Sequence, residues 1–410
     1  MTRRPGPLAD IRVLDLGRVI AAPYASQMLA DFGAEVIKIE RPGVGDDARL
    51  MSAGCLLDDQ GNKILSETSI LMMGNRGKRS VTLALNKPEG QQLLHRLAAV
   101  SDVLVENFVP DTVKRFNVDY ETLKKVNPRL IYVSISGWGQ TGPHRNRPGF
   151  DLALQAATGF MSVTGQPEGT PGAGPVRVGA SVIDIATGMN AAFAIMVALR
   201  HRDATGEGQC IDVALYDTGI ALQADNVQKY ITNGDLVGRH GSGNYGGAPA
   251  RVLHAADGDV LIIAGMDNQF AAFCELLGLP GLTRDERFIG VLRRYNNREA
   301  LYAIVEPLIA KWRMADLVAA LEKAQVPCSP VNNYEQLFAD PHTDARGMRV
   351  HLEHPLSSRF SVIGSPIKMS ETPVQYERTP LLSEHTDAVL GELLGMGKDE
   401  IERLREAGVV

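Results

Sequence analysis

Asp184 stands in Val178-Gly-Ala-Ser-Val-Ile-Asp-Ile-Ala-Thr-Gly188, where an extended segment gives way to a long apolar helix pattern. An acidic side chain among apolar neighbours is costly to bury without a partner or a task. A helix starting just after it would place its carboxylate near the positive end of the helix dipole and favour the ionised form. That combination makes a carboxylate nucleophile. The same residue also fits a plain helix N-cap, and the segment alone does not separate the two.

Other chemistries have less support. The turn after the first strand, Asp15-Leu-Gly-Arg-Val-Ile-Ala-Ala-Pro23, lacks GxGxxG, which disfavours a hydride-transfer enzyme, and no P-loop is present. Glu40, followed by Arg41, sits where a ribose-binding acid and a phosphate-binding or adenine-stacking guanidinium sit in a Rossmann unit. The nine histidines are dispersed and no HExxH occurs, so no metal site is expected. Gly241-Ser-Gly243 lies in a loop and lacks the strand-to-helix setting of a serine nucleophile elbow.

The elements that must position these residues follow from periodicity. Strand, helix and strand over 11–17, 23–32 and 35–40 make a βαβ unit. A less regular insertion is expected over 44–72. Strands at 79–85, 102–106 and 130–136, with helices at 88–99 and 120–126, continue a doubly wound α/β pattern. Helices are expected at 151–165 and 185–201, then a strand at 209–215. From about 225 the texture changes: a glycine-dense loop at 238–247, a hairpin turning at Asp257-Gly258, and helices at 267–277, 297–311 and 314–324. Two terminal helices are expected near 384–394 and 398–406. The resulting division is a large Rossmann-like domain over 1–200, completed by 345–410, and a small α+β domain over 226–325. Linkers are expected at 201–225 and 326–344.

With 410 residues, two domains are the default. A formal charge of −6 speaks against a nucleic-acid partner. Four scattered cysteines without CxxC fit a reducing cytoplasm. No signal peptide is expected, and the longest apolar run, Ala191 to Leu199, is too short to cross a bilayer.

Together these blocks resemble the class III CoA-transferases, the family of formyl-CoA and carnitine-CoA transferases that also contains α-methylacyl-CoA racemase. The likeness is carried by Val13-Leu-Asp-Leu, the run Ala22 to Gly43, Asn75-Arg-Gly-Lys-Arg-Ser80, Val105-Glu-Asn-Phe108 with Arg115, Ser134 to Pro143, the Asp184 block, and Thr205-Gly-Glu-Gly208. It implies two ring-shaped subunits passing through each other as an interlocked homodimer. It implies that Asp184 is the nucleophile, and that Arg18, Val19, Ala21, Arg41, Leu83, Asn107, Phe108 and Arg115 contact coenzyme A. The thioester would be a substrate, with no permanently bound cofactor. Where members carry His or Gln in the first turn, this chain has Arg18 and Ile20, a departure that bears on how the acyl group is oriented.

Racemases of the family resemble one another in a Gly-His-Asp motif whose His removes an α-proton. Here the stretch is Pro148-Gly-Phe-Asp151, and Phe150 is no base. Transferase therefore leads, by way of aspartyl anhydride and aspartyl-CoA thioester. A 2-methylacyl-CoA racemase and a CoA-binding subunit of a hetero-oligomeric transferase are the alternatives. Gly241, Gly243, Gly246 and Gly247 mark a candidate lid. Asp151 fits either a helix cap or an active-site role. Arg49, Arg76, Arg239 and His240 are cations available to a second carboxylate, so a dicarboxylyl donor such as succinyl-CoA is reasonable.

Overall fold

The computed structural model describes residues 6–51, 54–244 and 246–410. They form two compact units. Of these residues, the first unit takes those within 6–160, 178–235 and 344–410, and the second those within 161–177 and 236–343.

The first unit is built on strands β1 (Arg12–Asp15), β2 (Glu35–Glu40), β3 (Lys78–Thr82), β4 (Val103–Glu106), β5 (Ile131–Ser136) and β6 (Cys210–Ala214). They pair in the order β3-β2-β1-β4-β5-β6, and every pairing is parallel. The order reverses between β1 and β4, and in such sheets the crevice beyond the carboxyl ends of those two strands receives the ligand.

Both faces of the sheet are covered, so the strands read as apolar runs. Val13, Val36, Val105 and Val133 point to one face, where they meet helices α1 (Ala21–Asp31) and α4 (Val182–Thr205). Leu14, Ile37, Leu104 and Tyr132 point to the other, against α2 (Pro88–Ala99) and the C-terminal residues Val389, Leu390 and Ile401. Alternation with period two delivers neighbouring residues to opposite cores. Another helix, α3 (Asp151–Ala157), precedes α4 in the chain.

α4 is longer than its apolar run suggests. By length and composition it could cross a membrane, yet Ile183, Ala191, Ile195 and Leu199 are packed in the sheet core, as in a core helix of a globular unit. It meets α1 at Gly188. A Cβ there would lie 2.7 Å from the Ala21 carbonyl oxygen and 3.1 Å from the Tyr24 ring. Glycine thus lets α4 touch the first turn of α1, just past the turn that follows β1.

Some expectations change. The helix expected over 151–165 is broken at Thr158-Gly159, where Gly159 adopts φ +91°. Regular structure occurs among the described residues of the insertion: Cys55–Leu57 pairs with Lys63–Thr68 as a hairpin, and Ser69–Asn75 is helical. Residues 201–225 do not form a free connection, because Cys210–Ala214 completes the sheet beside β5. Within 326–344, Cys328–Pro330 is a strand and Tyr334–Ala339 a helix.

In the second unit, Cys328–Pro330, Asp259–Ile263 and Ala250–His254 form an antiparallel sheet in that order. Phe270, Phe273, Phe288, Leu301 and Leu317 fill its core.

Candidate active site

Asp184 is the third residue of α4, since Ser181 occupies the N-cap position. It is therefore not the cap. Ser181 makes no side-chain cap hydrogen bond, and the carboxylate of Asp151 does that work from 33 residues away. Asp151 Oδ2 accepts the N–H of Ile183 at 2.8 Å and that of Asp184 itself at 3.2 Å. Its Oδ1 accepts from Gln155 Nε2 at 2.5 Å, and Gln155 Oε1 in turn accepts the Val178 N–H at 2.9 Å. Asp151 thus caps α4 rather than α3, in which it is the first residue. A carboxylate here stabilises the positive end of α4 and satisfies two otherwise orphaned donors.

The Asp184 side chain is half-buried and makes no hydrogen bond or ion pair among the described residues. Burial pushes its pKa up to about 7, and the nearby Asp151 charge pushes in the same direction. Desolvation and the like charge of Asp151 thus act against the helix dipole, which favours the ionised form. The outcome is a basic carboxylate free of internal partners.

Asp184 and Gly188 are separated by one helical turn and share a face of α4. Since Gly188 lies against Ala21, Asp184 is on the face that turns toward the start of α1.

A cleft of about 560 Å³ opens at the β1/β4 reversal. Of the expected coenzyme A contacts, Arg18, Arg41, Leu83, Phe108 and Arg115 line it. Val19, Ala21 and Asn107 do not. Ala21 is buried at the head of α1, while Asn107 brackets the Arg18 backbone, accepting its N–H and donating to its carbonyl, both at 2.8 Å. The Arg18 guanidinium lies 5.1 Å over the Phe108 ring. Arg18 and Arg41 both reach the carboxylate of Asp47, Arg18 at 3.0 Å. Lys87, Asn86 and Phe116 also line the cleft and were not anticipated.

Val19 takes φ +66°, a conformation rare for a β-branched residue. Such strain costs on the order of 1–3 kcal/mol and persists only where surroundings impose it. Here the Val19 N–H donates to Asp46 at 3.0 Å. Asp46 pairs with Lys38 at 2.8 Å, and Lys38 donates to the Gly17 carbonyl. Asp15 accepts the Gly17 N–H at 2.8 Å and pairs with Lys78 at 2.7 Å. All four charged side chains are almost wholly buried. Burial opposes the ionised form of Asp15, but Lys38 and Lys78 overcome it and hold its pKa below the ordinary value. Breaking such a buried pair from one side costs about 3–5 kcal/mol.

Glu106, at the end of β4, is another buried acid. It accepts the Phe108 N–H at 2.8 Å and the Ser134 hydroxyl. Burial pushes its pKa up to about 7, with Asp212 adding to the shift. A raised acid pKa means that the folded state holds a proton the unfolded chain releases. The stabilisation is complete below the unfolded value near 4.5 and disappears as pH climbs through about 7. Glu67 is shifted up to about 7 as well. We therefore expect Tm to fall between pH 5 and pH 8, and Glu106→Gln to flatten that decline in a pH series of thermal melts.

Several anticipated cations are already engaged. Arg49 is buried and forks onto Glu40 at 2.8 and 3.0 Å, with Glu67 at 3.2 Å. Glu40 also takes Ser80 and the Asp46 N–H, so both its oxygens are occupied and it is not a ribose ligand in waiting. Arg76 forks onto Asp31 at 2.7 and 2.5 Å. Arg239 pairs with Glu168 and bonds the Gln166 carbonyl. Neither Arg49 nor Arg76 is available to a substrate carboxylate. Among the lid glycines, the Gly241 N–H bonds the Gly165 carbonyl at 2.9 Å and the Gly243 N–H that of His240 at 2.9 Å. Gly246 and Gly247 follow Tyr245, which lies outside the described residues.

Residues 8–386 match the family model for CoA-transferase family III. The chain belongs to that family. This family III CoA-transferase is 41% identical over 96% of its length, and 97% of the other's, to succinate–glutarate CoA-transferase of Agrobacterium fabrum. It is 35% identical to human succinyl-CoA:glutarate CoA-transferase, covering 98% of this chain and 90% of that one. Succinyl-CoA:mesaconate CoA-transferase of Haloarcula marismortui is 39% identical, with 94% and 96% covered. Among solved structures, a CaiB/BaiF family protein from Brucella suis superposes with a TM-score of 0.85 at 38% identity, covering 95% of the transferase and 100% of its own chain.

Proposed function

We propose that this transferase moves coenzyme A between an acyl-CoA and a free dicarboxylic acid, with succinyl-CoA as donor and Asp184 as covalent nucleophile. The observation that carries the reading is a basic, unpartnered carboxylate at the start of α4, whose face turns toward the helix that follows the cleft turn. The relatives named for succinate, glutarate and mesaconate support a dicarboxylate pair.

Asp184 attacks the thioester carbonyl carbon; the C–S bond breaks and coenzyme A leaves as thiolate, giving a mixed anhydride. The thiolate attacks the aspartyl carbonyl and releases the donor carboxylate, leaving an aspartyl-CoA thioester. The acceptor carboxylate attacks that thioester and frees the thiolate again. Thiolate attack on the acceptor's acyl carbon yields the new acyl-CoA and restores Asp184. Each step is an acyl transfer between groups of comparable leaving ability, which divides one difficult exchange into easier ones. Arg18, Arg41 and Arg115 would meet the phosphates, and Phe108 would offer an apolar ring.

A second copy of the chain completes the reading. Phe193, Met196 and Val197 make an exposed apolar stripe on α4, and Tyr230 and Ile231 are exposed on the helix Ala224–Asn233. Such surfaces suit a homodimer. The racemase alternative is disfavoured by Phe150, which is 70% exposed beside Asp151 and carries no proton acceptor.

The test is incubation with succinyl-CoA and a panel of mono- and dicarboxylic acids, reading new thioesters by mass spectrometry. Glutaryl-CoA or another dicarboxylyl-CoA is the expected product. α-Deuteration of a 2-methylacyl-CoA in D₂O without CoA exchange would overturn the proposal.

A further inference from the structure

The turn that follows β1 has an unusual hydrogen-bond account. Both backbone polar groups of Gly17, both of Arg18 and the N–H of Val19 are bonded to side chains: Asp15, Lys38, Asn107 and Asp46. Buried backbone groups need partners, and here neighbouring backbone supplies none of them. The shape of the turn is therefore set by side chains reaching it from β1, β2, the residue after β4 and the 44–50 segment.

Lys38 is the centre of this arrangement. It lies in the middle of β2, 1% exposed, and its Nζ meets the Gly17 carbonyl, Asp46 at 2.8 Å and Asp15 at 3.8 Å. Asp46 extends the hold to the other end of the turn, accepting the Val19 N–H at 3.0 Å and the Ala48 N–H at 2.9 Å. One ion pair thus fastens Gly17 and Val19, and Arg18 between them projects into the cleft. The left-handed φ of Val19 is what turns the chain there.

We propose that the Lys38–Asp46 pair positions the Gly17–Val19 turn for coenzyme A, so that Lys38, which does not line the cleft, and Asp46, which is buried in its wall, act on acyl-CoA affinity by holding the turn. This rests on the reading of the cleft as the coenzyme A site. Lys38→Met or Asp46→Asn removes one charge and leaves the other buried without its closest counter-charge. The double variant removes both and leaves Asp15 with Lys78.

The experiment measures CoA binding by calorimetry, Tm, and KM and kcat with succinyl-CoA, for the wild type, both single variants and the double variant. Tm is expected to fall in the single variants and to recover in the double variant. The Kd for CoA and the KM for succinyl-CoA are expected to rise about tenfold in all three, with kcat within about threefold, as loss of positioning before chemistry predicts. The decisive contrast is the double variant, in which stability returns but affinity does not. Where the single variants fail to fold, the double variant decides alone. Recovery of Kd together with Tm would show a purely structural pair and overturn the proposal, as would wild-type affinity in folded single variants. Failure of the wild type itself to bind CoA is a different result: it overturns the reading of the cleft, and this inference with it.

Discussion

Asp184→Ala is expected to abolish CoA exchange, by about 10⁴-fold or more in kcat, as loss of a covalent nucleophile does. Folding and CoA binding should survive. The carboxylate makes no hydrogen bond or ion pair among the described residues, so its removal orphans no partner, and a buried acid that resists ionisation is no asset to stability at neutral pH. The alanine side chain keeps the α4 turn, and Asp151 still caps it through backbone N–H groups. The measurement has two parts. Exchange between succinyl-CoA and glutarate is followed by mass spectrometry, and CoA affinity by calorimetry. Wild-type enzyme quenched during turnover with hydroxylamine should carry a hydroxamate on the peptide containing Asp184, and borohydride should reduce the same residue. A label on any other residue, or a variant that still transfers CoA at the wild-type rate, would remove Asp184 from the chemistry.

The second large effect concerns Asp151. The reactive form of Asp184 is the carboxylate, so the acylation rate should rise with pH through about 7. Burial is the first cause of the raised value and the Asp151 charge the second. Asp151→Asn keeps an oxygen for the Ile183 and Asp184 N–H groups but removes the charge. The rising limb should then move toward acid by about half a unit to one unit, since only one of two causes is gone. Asp151→Ala removes the cap as well. Two donors lose their acceptor, which costs about 1 kcal/mol of stability. The first turn of α4, and Asp184 with it, loses its fixed position, and a displacement near 1 Å costs about 10²-fold in rate. Single-turnover acylation across a pH series checks both variants. A limb at the same pH in Asp151→Asn would mean that its charge does not reach the nucleophile.

These two predictions rest on contacts of different legibility. The strands were readable because Val13-Leu14, Val36-Ile37 and Val103-Leu104-Val105 are buried on both faces of a parallel sheet and so appear as apolar runs. Asp184 was readable as an acid at a helix start, and the cleft residues Arg18, Arg41, Phe108 and Arg115 through the family likeness. Lys38 carries a signal of its own in the sequence: a lysine inside Val36-Ile-Lys-Ile39 has to find a counter-charge once that strand is interior. Arg49 and Arg76 misled, because a cation in a polar stretch looks available until the fold brings Glu40 or Asp31 to it. The hairpin over 55–68 was missed because one of its strands is only three residues long and local alternation that short is weak.

Local chemistry along the chain therefore dictates an inventory: two units, a doubly wound sheet, an acid at the head of α4, and a turn after β1 with cations beside it. Those features depend on neighbours along the chain, where periodicity and turn chemistry act. It takes the assembled fold to make Asp151 cap the helix of Asp184, to engage Arg49 with Glu40, and to bring Lys38 to the Gly17 carbonyl. Each of these is a charge meeting a partner distant in sequence. Electrostatic partners are chosen by distance through space and by exclusion of water, and neither is set until the sheet has assembled.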